Sequence, residues 1–315
     1  MHLTPVERQE LAKRLSPHDL SHADAATTTN LVSGTADNAC RAADVAFGQP
    51  AVDDLLASES LKFIQLTSAG YTRYDRDDLR AALRSRDAAL CTSSGVYDDP
   101  CAQHVMSFIL GHNRRLLDAY ADQTTTRSWR YKLLRPAVRT LGDEKVLIIG
   151  FGAIGRRLVE LLHPFHAQVR GVRRSPSGDE PIEVVSMAEL DEQLPWADHV
   201  VNLLPSSSAN TRLFDAPRFA RMKRGAAFYN VGRGDTVDQA ALEHALRDGQ
   251  ISGAYLDVTH PEPLPADHPL WQAPRCLITP HVAGGTQKEM QKLLDHFVTN
   301  FERFIQANPL SNRVM

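Results

Sequence analysis

Val146-Leu147-Ile148-Ile149-Gly150-Phe151-Gly152-Ala153-Ile154-Gly155 decides how this chain is built. Four apolar residues in succession read as a strand covered on both faces, as in a parallel sheet. A Gly-x-Gly-x-x-Gly turn follows, and Ile154, Leu158, Leu161 and Leu162 then fall on one stripe of a helix. Gly150 permits the tight turn. Gly152 lets the backbone approach a pyrophosphate at the helix N-terminus, and Gly155 allows close helix-to-strand packing. A glycine turn alone is weak evidence, but here it ends a strand and opens an amphipathic helix, which predicts a dinucleotide site.

Working outward, further strands are expected at Gln168–Val172, His199–Leu204, Ala226–Val231, Gly253–Val258 and Leu277–Thr279, with helices between most of them. Alternating strand and helix means a doubly wound parallel sheet. Upstream, strands are expected at Ala43–Gly48, Leu61–Leu66 and Ala88–Thr92. A long helix should run from Pro100, burying Cys101, Val105, Phe108, Ile109, His112, Leu116 and Leu117. Ala121–Ser128 is short and polar, a candidate crossover between domains. The closing helix carries Met290, Leu293, Leu294, Phe297, Phe301, Phe304 and Ile305 on one face, which should pack on the first domain.

Composition agrees with an ordinary globular enzyme. The 315 residues suffice for two domains. Lys and Arg number 35 against 38 Asp and Glu, a net charge of −3, so nucleic acid and anionic lipid are not expected partners. No apolar run approaches a membrane span, and Met1–Glu7 holds no apolar signal core. Cys40, Cys91, Cys101 and Cys276 are scattered without a Cys-x-x-Cys pair, which suits a reduced cytoplasmic protein. No metal site is expected, since His260 and Glu262 lack a second histidine pair at ligand spacing.

The strand after the glycine turn ends in Arg173-Arg174-Ser175, with Arg173 lying 23 positions beyond Gly150. An acidic residue at about that distance would bind a ribose 2′-hydroxyl and repel a 2′-phosphate. Arginine does the reverse, its planar fork matching phosphate oxygens. The expectation is NADP(H) in preference to NAD(H), with NAD(H) possible.

Three later segments leave strand ends, where open parallel sheets place their ligands. They are Asn230-Val231-Gly232-Arg233-Gly234, Leu256-Asp257-Val258-Thr259-His260-Pro261-Glu262-Pro263 and Thr279-Pro280-His281-Val282-Ala283-Gly284-Gly285. Reduction of a 2-keto acid needs a cation for the carboxylate and ketone, an acid for the developing alkoxide, and a carboxylate that aims the acid. Arg233, His281 and Glu262 supply these parts.

The order of these motifs resembles the D-isomer-specific 2-hydroxyacid dehydrogenase family from about Ala43 to Ile305, most strongly over Val146–Gly285. Thr92–Tyr97 and Ala102-Gln103-His104-Val105 are similar to it as well. The resemblance implies catalytic roles for Arg233, Glu262 and His281. It implies that Arg233, His281 and the amides of Ala69 and Gly70 hold the substrate. Cofactor contacts are implied at Gly150, Gly152, Ala153, Ile154, Gly155, Arg173, Arg174, Ser175, Leu204, Pro205, Val231, Gly232, Asp257 and Gly284. Asp257 would lie near the nicotinamide and Pro205 near the adenosine. The chain departs from the family pattern at Gln103, read as neutral, at Arg173, the residue that favours a 2′-phosphate, and at His260, which casts no doubt on Glu262.

The resulting expectation is an α/β protein, with a Rossmann domain at 119–286 inserted in a smaller flavodoxin-like substrate domain made of 1–118 and 287–315. Only four residues precede the first helix, which Thr4, Pro5 and Glu7 should open. That domain therefore either lacks its first strand or begins downstream of its natural start. The expected activity is reduction of a small 2-keto acid such as glyoxylate or hydroxypyruvate to the D-2-hydroxy acid by a homodimer. The rivals are a same-fold dehydrogenase of a phosphorylated hydroxy acid, disfavoured because no regulatory domain is expected beyond Met315, and a nucleotide-sensing protein with little turnover.

Overall fold

The computed structural model describes residues 3–23 and 37–315; Met1 and His2, part of the stretch read above for a signal core, lie outside the described residues. The chain forms two compact units, Met1–Tyr97 with Thr286–Met315, and Asp98–Gly285.

The first unit holds three parallel strands, β1 (Val45–Gly48), β2 (Phe63–Leu66) and β3 (Ala89–Cys91), in that order across the sheet. Ile64, Leu66 and Leu90 pack with Leu55, Tyr74 and Leu79. Phe63 and Cys91 pack instead with Leu11 and Leu15 of the first helix and with Leu294, Phe297 and Phe301 of the last helix, Glu289–Ile305. The apolar stripe of that last helix is therefore buried within this unit, although Ile305 at its end is exposed. The first helix, Pro5–Leu15, opens with the expected capping box between Thr4 and Glu7. Among the described residues no strand precedes β1.

The second unit is a seven-stranded parallel sheet of order β10-β9-β8-β7-β4-β5-β6. Its strands are β4 (Lys145–Ile149), β5 (Gln168–Arg173), β6 (Glu183–Ser186), β7 (His199–Asn202), β8 (Ala226–Asn230), β9 (Ile251–Leu256) and β10 (Cys276–Ile278). The order runs one way from β4 to β6 and the other way from β7 to β10. That reversal is the switch point at which such sheets bind ligands beyond the strand C-termini.

Several expectations need correction. The sequence reading contains no strand at β6, because two valines, Val184 and Val185, make too short an apolar run. The strand is held by pairing with β5 and by Arg170–Glu183 at 2.9 Å. The long helix begins at Ser94, with Pro100 inside it, and ends at Asn113. Arg115 adopts φ +56°, which breaks the helical register and leaves Leu116 exposed instead of buried. Residues 98–118 cluster with the second unit, and Ala121–Ser128 lies inside that unit, not at a crossover. The reason is packing: Phe108 lies 5.2 Å from the Tyr255 ring, and His112 bonds the Tyr255 hydroxyl.

Candidate active site

The glycine turn leaves β4 and is tethered to the end of β5, where the amides of Gly150 and Phe151 donate to the Val172 carbonyl. Gly150 has φ +91°, and a Cβ there would stand 2.9 Å from the Leu203 carbonyl carbon. Both facts restrict the position to glycine. At Gly152 the opposite holds, since a Cβ would meet nothing within 4 Å. The helix Ala153–Leu162 starts there without a side-chain cap. An open space in front of uncapped helical amides fits a dinucleotide pyrophosphate. Ala153 and Ile154 open that helix, and Gly155 is buried within its first turn. At the end of β5, Arg173 pairs with Glu180 at 3.1 Å, whereas Arg174 and Ser175 are exposed.

A buried amide network shapes the loop that carries Arg233. Asn202 donates to Asn230 Oδ1 (3.0 Å) and to Thr236 Oγ1 (2.7 Å). Asn230 Nδ2 and Thr236 Oγ1 both donate to the Arg233 carbonyl, at 3.1 and 2.6 Å. The Leu204 and Gly232 amides donate to Asn202 and Asn230 side chains, and the Val231 amide to the Asn202 carbonyl, so the two loops are tied to each other. Pro205 follows, exposed. Gly234 is obligatory, because a Cβ would overlap the Thr259 carbonyl at 1.9 Å. The Arg233 guanidinium makes no salt bridge among the described residues; Nη1 donates to the Gly232 carbonyl at 2.6 Å. A half-buried, uncommitted cation is suited to an anionic substrate.

His281 Nδ1 lies 2.7 Å from Glu262 Oε2. A carboxylate only accepts, so Nδ1–H donates, and Nε2 is left without a partner among the described residues. The pair is half-exposed, at 27% and 36%. Burial pushes the Glu262 carboxyl up, but the His281 bond, the Thr259 amide at 3.0 Å and the charges of His281 and Arg233 outweigh it and hold it below its ordinary value. Glu262 is thus ionised beside the ring it orients.

His281 has φ +52°, a left-handed conformation that costs a side-chain-bearing residue roughly 1–2 kcal/mol. Asp257 holds it there. The His281 amide donates to the Asp257 carbonyl at 2.9 Å, while the Asp257 carboxylate accepts from the amides of Val282 (2.9 Å) and Ala283 (2.8 Å). It also accepts from the Thr279 hydroxyl at 2.6 Å, and Thr279 lies 3.1 Å from His104 Nε2. Gly284 follows this braced turn. Asp257 was expected only as a cofactor contact, and sequence reasoning gave Thr279 and His104 no role. The signals for them were the resemblance of the His104 segment and of the Thr279–Gly285 segment to the family.

In the first unit, Ala69 and Gly70 follow β2. Among the described residues neither backbone N–H has an acceptor, so both are available to an anion. Their loop is held by Gln49, which donates to Thr67 and Ser68, by Tyr97, whose hydroxyl donates to the Thr67 carbonyl at 2.6 Å, and by the Ser93 amide on the Ser68 carbonyl. Neither Gln49 nor Tyr97 was expected to matter.

With this geometry in place, comparison with known proteins is informative. Residues 106–283, over half of the chain, match the family described as "D-isomer specific 2-hydroxyacid dehydrogenase, NAD binding domain". The chain belongs to the D-isomer specific 2-hydroxyacid dehydrogenase family, and it is an NAD(P)-dependent oxidoreductase. It is 32% identical over 271 residues to glyoxylate/hydroxypyruvate reductase B of Escherichia fergusonii, covering 84% of this chain and 81% of that one. It is 32% identical over 263 residues to the glyoxylate reductase/hydroxypyruvate reductase of Homo sapiens, covering 82% and 78%. Among solved structures, a D-isomer specific 2-hydroxyacid dehydrogenase from Xanthobacter autotrophicus, in complex with NADPH and MES, superposes with a TM-score of 0.80 at 28% identity, covering 98% of this chain and 93% of that one.

Proposed function

We propose that this protein reduces a small 2-keto acid of the glyoxylate or hydroxypyruvate type to the D-2-hydroxy acid, using NADPH in preference to NADH. The observation that carries the reading is the His281–Glu262 pair, a ring with one nitrogen on a carboxylate and the other free. When bound, the nicotinamide supplies hydride to the keto carbon. His281 Nε2 gives the proton to the oxygen that becomes the hydroxyl, and Glu262 stabilises the charged ring before transfer. Arg233 pairs with the substrate carboxylate and polarises the carbonyl. The Ala69 and Gly70 amides, without acceptors among the described residues of the first unit, are donors suited to a carboxylate. Arg174 and Ser175, beside Arg173, receive the 2′-phosphate.

The cofactor contacts and Arg233, Glu262 and His281 all belong to the second unit, and Ala69 and Gly70 to the first. Leu116, Tyr120, Trp129, Tyr131 and Leu133 are exposed within one short stretch, which supports pairing as a homodimer. Four unpaired cysteines support a cytoplasmic setting, and among the described residues no helix is long and apolar enough to cross a membrane.

The test is a panel of 2-keto acids, including glyoxylate, hydroxypyruvate and a phosphorylated analogue, assayed with NADPH and NADH. The reading expects turnover of the small acids and a lower KM for NADPH. Binding of NADPH without turnover of any acid would leave a nucleotide-sensing protein instead.

A further inference from the structure

Between β5 and β6 the chain folds around a single carboxylate. Glu180 Oε1 accepts from the Ser177 amide at 2.8 Å and Arg173 Nη1 at 3.1 Å, and shares the Ser177 hydroxyl, at 2.7 Å, with Asp179 Oδ1 at 2.5 Å. Oε2 accepts from the Gly178 amide at 2.8 Å. Gly178 has φ +84°, beside the point where the two successive amides converge. The Glu180 side chain is only 3% exposed. The bonds from Ser177, backbone first, and from Gly178 hold its carboxyl down to about 2, so it is an anion at any working pH. Two adjacent amides, a shared hydroxyl and a guanidinium aimed at one anion form a donor set suited to phosphate.

The neighbouring charges are arranged around it. Arg156, on the helix that follows the glycine turn, faces Asp179 at 3.7 Å. Arg170 is held by Glu183. Arg174 is exposed and makes no salt bridge among the described residues. Of the two arginines at the end of β5, one therefore already carries an anion and the other does not.

We propose that Glu180 is a specificity-determining residue for the cofactor: its carboxylate occupies Arg173 and the Ser177–Gly178 amides, donors that a 2′-phosphate would use, and thereby limits the preference for NADPH over NADH. This rests on the reading that Arg173, Arg174 and Ser175 receive the 2′ side of the adenosine ribose. A phosphate brought to Arg173 meets an anion already there. It must share the guanidinium or displace the carboxylate, and the two like charges repel. A 2′-hydroxyl carries no charge and meets no such opposition. A site with two arginines is thus weakened toward the phosphate and left open to NAD(H).

The experiment titrates the protein with 2′,5′-ADP and with 5′-AMP, which differ only in the 2′-phosphate, by calorimetry. Glu180→Gln keeps the shape of the side chain and removes its charge. It is expected to bind 2′,5′-ADP about three- to tenfold more tightly than the unaltered protein, with 5′-AMP changed by less than about twofold, and the gain should shrink as salt is added. Unchanged or weaker 2′,5′-ADP binding by a Glu180→Gln protein of normal melting temperature would overturn the proposal, because Glu180 would then only prop Arg173. Should that variant not fold, Glu180→Asp, which draws the charge back from Arg173, is expected to give a smaller gain of the same sign, and no gain refutes. Arg174→Ala tests the underlying reading separately. If the unaltered protein binds both nucleotides equally and Arg174→Ala changes neither, the arginines do not meet the 2′ group and both ideas fall.

Discussion

The second unit contains the same chemical pair twice. His281 and Glu262 lie 2.7 Å apart, and His199 and Glu144 lie 2.6 Å apart. The second pair is buried, at 0% and 6% exposure, at the start of β7. There the carboxylate also accepts from Asn113 and faces Arg139 at 3.0 Å, and His199 Nδ1 accepts from the Tyr229 hydroxyl at 2.8 Å. Next to it His112 spans Tyr255 and Ser252 with its two nitrogens. Every polar atom of His199 is occupied, whereas His281 keeps one nitrogen free at a strand end. A histidine–carboxylate pair becomes a proton donor only where the second nitrogen is free, and with both occupied it serves as a bolt in the core.

That contrast can be broken by mutation. His281→Gln is expected to lower kcat by about 10²- to 10⁴-fold with cofactor affinity and melting temperature nearly unchanged; turnover near the unaltered level would refute the proton-donor role. His199→Leu should do the reverse. It takes one of three partners from Glu144, leaves the buried Tyr229 hydroxyl without its acceptor and should cost roughly 1–3 kcal/mol in denaturant unfolding, with kcat of the folded fraction largely retained. A stable variant with lost turnover would mean that the two pairs had been assigned the wrong way round. Glu262→Gln sharpens the comparison. It should lower kcat about 10- to 100-fold with cofactor affinity and melting temperature nearly unchanged, because a neutral amide no longer aims and supports the ring. An unchanged kcat would reduce Glu262 to packing.

The smallest effect is on stability against pH. Burial first, then the charges of His199 and Arg139, pushes His112 down to about 3. Unfolded, it titrates near 6.5, so the folded state binds fewer protons between those values. Its cost is absent above about pH 6.5 and grows as the pH falls toward 3. Burial pushes the Glu144 carboxyl up, but the bond and charge of His199, with Arg139 and Asn113, hold it below the ordinary range. Its contribution is present above the unfolded carboxylate value and is lost as the pH falls through the folded one. Melting temperature should therefore be flat above neutrality and fall from about pH 6.5 downward. His112→Gln should flatten the upper part of that fall; an unaltered slope would show that His112 is protonated in the fold.

Much of the site could be read from residue order. Gly150 and Gly152 declare a turn because no other residue fits one and the other leaves room in front of helical amides. Arg233, Glu262 and His281 stand out because each sits in a short polar segment that leaves an apolar run. His199 and Glu144 were invisible for the opposite reason, since a strand histidine and a loop glutamate become a pair only when β4 and β7 lie side by side. The strand β6 was too short to announce itself, and nothing local marked the Arg115 turn that exposes Leu116.

Composition, periodicity and the spacing of glycines determined the parallel sheet, the dinucleotide turn and the three polar residues at strand ends, because those signals are written within a few residues of one another. Tertiary structure alone decided what each side chain does with its hydrogen bonds. It placed His281 at φ +52° under the Asp257 carboxylate, closed both nitrogens of His199, and put Glu180 on Arg173. Those contacts join residues that the chain separates, and their energies depend on burial and partner geometry.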